Sequence, residues 1–463
     1  MTKMGCNSSG QRQKQLSRRN LLQTAGAVSF GTVLGVTPSN AQTTSGNVIW
    51  ELEGAGATSS PTVVNDSVIA GSRDGSVYAL NRNDGSIRWE FEANLWGGSS
   101  PSVANQMVFF GTDDGTLYSI DLDNGTEQWT FETGDRVRSS PTVANETVFI
   151  GSSDNSVYGI DTSDGTKLWE FQTGDSVTSS PTVVDGTVIV GSADRNVYAL
   201  DAEDGTEQWA FETSDTIRSS PTVVRDTIFI GNSGGDIYAI DLDDGTERWQ
   251  FSDTGPFAIR SSPTVAYGTV FIGSNDNQLY ALNASDGTEK WTFQAGDSVY
   301  SSPTVAAGLV FFGSGFTESE PRNVYALDAD DGTEQWTFEA DHWVMSSPTV
   351  VDGTVFVASH NTLYAIDGGV NGSSEGSRMR HKTLGHHDRE ISDPMEIEFE
   401  DQTDVDDEGA DEDDADDTEP PDSNDEAGAD DDVPGFGVGE AIAGLGGVAY
   451  LMKRRLLDAN NDE

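Results

Sequence analysis

"SSPTVVDGTVIVGSADRNVYALDAEDGTEQWAF", residues 179–211, holds four short apolar runs divided by turn residues. "SSPTVV", "TVIVGS", "NVYALD" and "EQWAF" each read as a strand, because β-branched and aromatic side chains fill them between polar breaks. Asp185-Gly186 and Asp204-Gly205 supply the residues that tight hairpins require. Four antiparallel strands in one such period make a propeller blade. A lone blade leaves both faces wet, so it must pack against copies of itself.

The copies are present. "SSP" begins at Ser59, Ser99, Ser139, Ser179, Ser219, Ser261, Ser301 and Ser346. Trp50, Trp89, Trp129, Trp169, Trp209, Trp249, Trp291 and Trp336 keep the same beat, at spacings of 39 or 40 residues with one of 42 and one of 45. Self-similarity at this period marks a repeat architecture. Eight sets of the first three strands run from Ser59 to Asp367, but no tryptophan strand follows the eighth. The orphan "NVIWELE" (residues 47–53) must supply it. The expected fold is all-β: an eight-bladed propeller over residues 47–367, four antiparallel strands per blade, closed by the N-terminal strand.

"VYALDAEDGTEQW" (residues 197–209) resembles the tryptophan-docking motif of the pyrroloquinoline quinone (PQQ) type of eight-bladed propeller, and the likeness covers residues 47–367. The resemblance implies that the eight tryptophans pack between neighbouring blades and that the glycine makes the turn, so these residues are structural. It also implies, for the quinoprotein dehydrogenases of the family, a quinone stacked on a tryptophan and a calcium held by Glu, Asn and Asp. A catalytic Asp and a vicinal disulfide complete that implied site. This chain has one cysteine, Cys6, ahead of a signal-like segment. Its blades are nearly interchangeable, whereas such a site needs unlike residues from particular blades. No catalytic residue, cofactor or metal ligand is therefore expected; PQQ with calcium belongs only to the alternative reading of a quinoprotein dehydrogenase. Other relatives are non-catalytic, among them a lipoprotein scaffold for assembly of outer-membrane barrels.

With 78 acidic and 25 basic residues, the formal charge is −53. A polyanionic partner would be repelled, which excludes nucleic acid. Residues 396–432 hold 21 of the acids and leave 57 elsewhere, so the charge is not one tail. Such a surface suits molar salt, where screening shortens to about 3 Å. The composition is that of a halophile.

The two ends carry addresses. Ser17-Arg18-Arg19-Asn20-Leu21-Leu22, the apolar run to Val36 and Ser39-Asn40-Ala41 resemble a twin-arginine signal over residues 1–41. Residues 368–433 read as an acidic, self-repelling stalk. Residues 434–455, "PGFGVGEAIAGLGGVAYLM" with Lys453-Arg454-Arg455, are similar to the PGF tails recognised by archaeosortases. That resemblance implies cleavage and lipid attachment; a plain membrane span is the alternative. The combination resembles an exported protein of a halophilic archaeon, anchored to the cytoplasmic membrane through its C-terminus. His381, His386 and His387 lie in the linker without a ligand pattern, and the "DLDNGTE" turns lack the full order of a calcium loop. Asn65, Asn124, Asn145, Asn283 and Asn371 begin Asn-x-Ser/Thr triplets.

Strand order puts the loops between blades and the loops between strands two and three on one face. Both length changes fall there, in residues 252–260 and 313–324, as do Trp96, His342 and Trp343. Variable aromatic loops on a regular scaffold point to binding. The residue before each "SSP" sits at the channel mouth: Thr58, Gly98, Arg138, Thr178, Arg218, Arg260, Tyr300 and Met345. Residues 42–367 contain 13 bases in 326 positions, so chance places about a third of one base among these eight; three are there. Arg138, Arg218 and Arg260, with Arg136 close by, read either as an anion-binding arc or as ion pairs with loop acids such as Asp113, Asp154 or Asp194. Three roles follow: a binding or scaffolding platform for an envelope protein or glycan, a structural envelope component, or a redox enzyme.

Overall fold

A computed structural model of the chain describes residues 45–54, 56, 59–95, 99–315 and 322–374. These form eight four-stranded antiparallel sheets, seven of them in sequential strand order and the eighth closed by the first strand of the chain. Blades I to VII are residues 62–95, 102–132, 142–172, 182–212, 222–251, 264–294 and 304–339. Blade VIII joins residues 349–367 to the N-terminal strand Val48–Glu53, which pairs with Thr362–Asp367. The strand count required this closure. The signal segment with Cys6, the stalk beyond residue 374, the three linker histidines and the PGF tail lie outside the described residues.

Blade IV shows where the local chemistry departs from the simple reading. Its first strand is only Thr182–Val184, not six residues. Pro181 has no N–H to donate, and Ser179 Oγ accepts from Gly191 N at 3.2 Å, so a side chain replaces the ladder there. Asp185 and Gly186 take φ of 47° and 80°, the positive pair of a type I′ hairpin. The second turn is wider than a two-residue hairpin. Gly205 N donates to Asp201 O, and Asp201 N donates to Thr206 O. Beyond that turn, Trp209 pairs with Ala199 but Glu207 with Leu200, a bulge repeated before the tryptophan of all eight blades. Such bulges sharpen strand twist.

The apolar core lies in the seams between blades. Phe149, Val157 and Trp169 of blade III pack with Val188, Val190 and Leu200 of blade IV. Each tryptophan Nε1 donates to a backbone carbonyl of the next blade, at 2.8 Å for Trp50 to Arg82 and 3.0 Å for Trp336 to Gly368. A glycine of that next blade lies under the ring. A Cβ at Gly205 would stand 2.6 Å from Trp169, and the same holds within 2.8 Å for Gly85, Gly125, Gly165, Gly245, Gly287 and Gly332. At the closure Gly46 plays the part, beside Trp336. The tryptophans are thus structural. Removing one such ring costs about 3–5 kcal/mol.

"SSPT" recurs for a reason the strand reading does not contain. The second serine N–H of each blade donates to the second serine Oγ of the next, from Ser60 to Ser100 onward and back from Ser347 to Ser60 at 2.9 Å. The hydroxyl after each proline donates to the proline carbonyl of the next blade, ending with Thr349 to Pro61 at 2.8 Å. Two closed hydrogen-bond rings therefore join the inner strands. They leave those buried polar groups satisfied.

The body does not end at Asp367. Gly372 O accepts from Gly353 N, Ser374 N donates to Val350 O, and Ser373 Oγ accepts from Asp352 N. Residues 370–374 thus follow the first hairpin of blade VIII, which moves the start of the stalk past its expected boundary.

Candidate functional site

Antiparallel order puts the loops between strands two and three, and those between blades, on one face; the tight hairpins share the other. Of the 13 bases in residues 45–374, seven stand in loops of the first face: Arg73, Arg136, Arg138, Arg195, Arg218, Arg260 and Arg322. The hairpin face holds Arg82 and Arg225 among many aspartates. This asymmetry in so acidic a chain marks the loop face as the candidate site.

At the mouth, the residue before "SSP" faces the loop between strands two and three of the preceding blade. Arg138 uses that geometry for an ion pair: Nε and Nη2 reach the two oxygens of Asp113 at 2.9 and 3.2 Å. Of the two readings offered for the arginines, Arg138 follows the ion pair, with the Asp113 named for it, and its fork is already taken. The equivalent partner positions are Ala193 for Arg218 and Ser233 for Arg260, so neither meets an acid there. Both arginines are exposed, and no carboxylate pairs with either among the described residues. Arg260 instead lies over the Tyr300 ring, 5.3 Å from its centroid, a cation–π distance. Tyr300 OH accepts from Asn275 Nδ2 at 3.3 Å.

Asp154 and Asp194 do not serve as arginine partners. Asp154 accepts from Gly134 N at 2.7 Å and from Tyr158 OH, and Asp194 from Gly174 N at 2.6 Å and from Tyr198 OH. Burial would raise the Asp194 pKa, but hydrogen bonds led by the Asn196 N–H hold it below the usual carboxylate range. These aspartates fasten the interblade loops.

On blade VIII, His342, Trp343 and His360 form a three-ring cluster. His342 and His360 stack at 4.5 Å, with Trp343 4.9 Å from His360. Burial, then the Arg73 charge and His342, push the His360 pKa down to about 4 against the pull of Asp341. The Asp341 carboxylate is partly buried, which works against its charge. Hydrogen bonds from Ser359, Asn361, Thr362 and Tyr364 nevertheless keep its pKa low. Trp96, Thr58 and Gly98 lie outside the described residues.

Sequence reasoning missed His360, Arg73, Asn275 and Phe257. The first three share one repeat position, just after the end of strand two, occupied in turn by Arg73, Asp113, Ser153, Ala193, Ser233, Asn275, Gly315 and His360. Its variation, next to a position that is serine in six of the eight repeats, was a readable signal. Phe257 belongs to the longer loop 252–260 and is 48% exposed.

A quinone held by calcium needs acidic and amide donors converging near the axis. Among the described residues no three histidine, cysteine or acidic side chains stand close enough to hold a metal ion. The second-serine hydroxyls of the inner strands accept from backbone N–H groups of the preceding blade, and the hydroxyls after the prolines donate to neighbouring carbonyls.

Residues 31–141, 121–259, 252–315 and 313–374 match the family described as outer membrane protein assembly factor BamB, and residues 433–455 match the PGF-CTERM motif. Among solved structures, BamB from Moraxella catarrhalis is 19% identical, covers 69% of this chain and 99% of its own, and superposes with a TM-score of 0.60. The computationally designed Ika8 protein is 16% identical over 70% of this chain and 100% of its own, with a TM-score of 0.60. Quinohemoprotein alcohol dehydrogenase ADHIIG from Pseudomonas putida HK5 is 16% identical over 70% of this chain and 76% of its own, with a TM-score of 0.58. Comparison with curated protein sequences finds no match.

Proposed function

The chain belongs to the BamB-type family of PQQ-like propeller repeats, and from that premise we propose that it is a non-catalytic binding platform whose loop face receives an envelope protein or glycan. The PGF motif marks an exported, surface-anchored protein. In our reading the twin-arginine-like signal exports it folded, and the tail holds it at the cytoplasmic membrane in a high-salt envelope.

One observation carries the reading. Around the axis the serine and proline rings repeat eight times, while one turn away the mouth positions differ from blade to blade and gather arginine and aromatic side chains. An inert structural ring has no need of that contrast. Molar salt erases long-range steering, so recognition there rests on direct, desolvated contacts.

Immobilised full-length protein and the Arg218→Gln/Arg260→Gln double variant, both in molar KCl, are the test. Defined envelope components retained by the parent and lost by the variant support the platform. Identical retention would remove the two arginines from the binding site, and retention by neither would leave an inert component of the envelope.

A further inference from the structure

We infer that blades V to VII carry a site for an oligosaccharide with an acidic sugar at one end and neutral sugars behind it. The inference rests on the platform reading and names its ligand. Loop 252–260 is two residues longer than its counterparts and folds back over its own blade, where Thr254 Oγ1 donates to Gly235 O at 2.5 Å. A side chain at Gly235 would collide with the Gly255 carbonyl, so the loop is seated and not loose. It presents Phe257 to solvent beside a cleft lined by Asn275, Asn277 and Gln278. An exposed aromatic face suits the C–H face of a sugar, and side-chain amides both donate to and accept from hydroxyls.

Asn275 joins this cleft to the mouth. Its Nδ2 holds the Tyr300 hydroxyl, whose ring lies under Arg260, and Arg218 follows on the adjacent blade. Asn275 Oδ1 and Ser233 Oγ are buried here with no hydrogen-bond partner among the described residues. Buried polar atoms left so are costly, which favours a bound water at this seam. The guanidinium fork of Arg260, unlike that of Arg138, remains open to an oxyanion.

Charge sets the direction of the ligand. Asp253 and Asp276 also line the cleft, and Asp276 is engaged by Tyr280 OH at 2.6 Å. They repel an acidic sugar on Phe257. The carboxylate or sulfate therefore lies at the arginine end, and neutral rings lie at the phenylalanine end.

Calorimetric titration of the full chain in molar KCl tests this with three probes. 3′-Sialyllactose has one terminal carboxylate, lactose has none and trigalacturonate has one on every ring. Sialyllactose should bind at least tenfold more tightly than either of the others. Arg260→Gln should cost about tenfold for sialyllactose, the worth of a charged hydrogen bond. Phe257→Ala should weaken it while Phe257→Tyr keeps it, Arg138→Gln should leave it unchanged, and Asp253→Asn should raise trigalacturonate affinity. Equal binding of lactose and sialyllactose, full affinity in Arg260→Gln, or no binding of either acidic probe overturns the inference, given parental melting midpoints. If no sugar binds but these variants still lose captured envelope components, the platform stands with a protein partner. If capture is also unchanged, both readings fall.

Discussion

Two glycine-to-alanine changes in blade IV isolate the contact that joins the blades. Gly186 and Gly205 have φ of 80° and 73°, so alanine suffers similar left-handed strain at each, about 1–2 kcal/mol. Both substitutions also restrict the unfolded chain, which returns about 0.4–1 kcal/mol. Their surroundings differ. A Cβ at Gly186 meets nothing within 4 Å, whereas at Gly205 it lies 2.6 Å from Trp169 Cε3. The ring cannot simply retreat, because its Nε1 is bonded to Ala202 O at 3.0 Å and it sits in the seam core. Overpacking adds about 1–3 kcal/mol and a weakened hydrogen bond about 1. Gly205→Ala should thus be less stable than Gly186→Ala by about 2–4 kcal/mol. For a body of about 320 residues that corresponds to a midpoint lower by about 3–6 °C. Thermal unfolding of the parent and both variants in molar KCl, followed by circular dichroism, reads the difference directly. Equal midpoints for the two variants would refute the claim that the tryptophan–glycine seam limits stability.

Deleting residues 47–53 removes Trp50 with its bond to Arg82 O and bares the edge of Thr362–Asp367; limited proteolysis should then cut blade VIII first, and an unchanged digest would speak against the latch. Lowering KCl to 50 mM should collapse the β signal, since unscreened carboxylates repel one another; a retained spectrum and midpoint would sink the halophile reading. His360 has a folded pKa of about 4, below its unfolded value, facing Arg73, His342 and Asp341. The unfolded chain therefore takes up this proton first, and stability falls as pH drops from about 6.5 toward 4. His360→Gln should flatten that slope relative to the parent, and parallel curves would show that the cluster does not titrate this way.

Blade number, strand order and latch were legible because each rests on a local pattern: alternation, turn residues, and a tryptophan every 39 to 45 residues. The serine and proline rings were not, since Ser60 and Ser100 stand 40 residues apart and nothing local couples them. The second turn was misjudged for a related reason. Gly205 answers to Trp169 of the preceding blade as well as to its own corner. At the candidate site, composition alone exposed the surplus of arginine at the mouth. It could not divide Arg138 from Arg260, because that division depends on whether Asp113 or Ser233 faces the guanidinium across a seam. His360 and Phe257 went unseen as single residues in unremarkable loops.

The way the chain leaves the ring also decides how the ring bears load. Strand Thr362–Asp367 is flanked by Val48–Glu53 on one side and Thr354–Ala358 on the other, and continues directly into residues 368–374. Tension from the C-terminal side pulls this strand along its own length. Both flanking ladders then resist in shear, all their bonds loaded together, where a strand peeled from its end would yield one bond at a time. The clasp of residues 370–374 on the Val350 hairpin takes the first part of any such pull. A propeller fastened this way is a mechanical fitting as well as a binding surface. Single-molecule pulling should find the clasp releasing at low force and the flanked strand holding to much higher force.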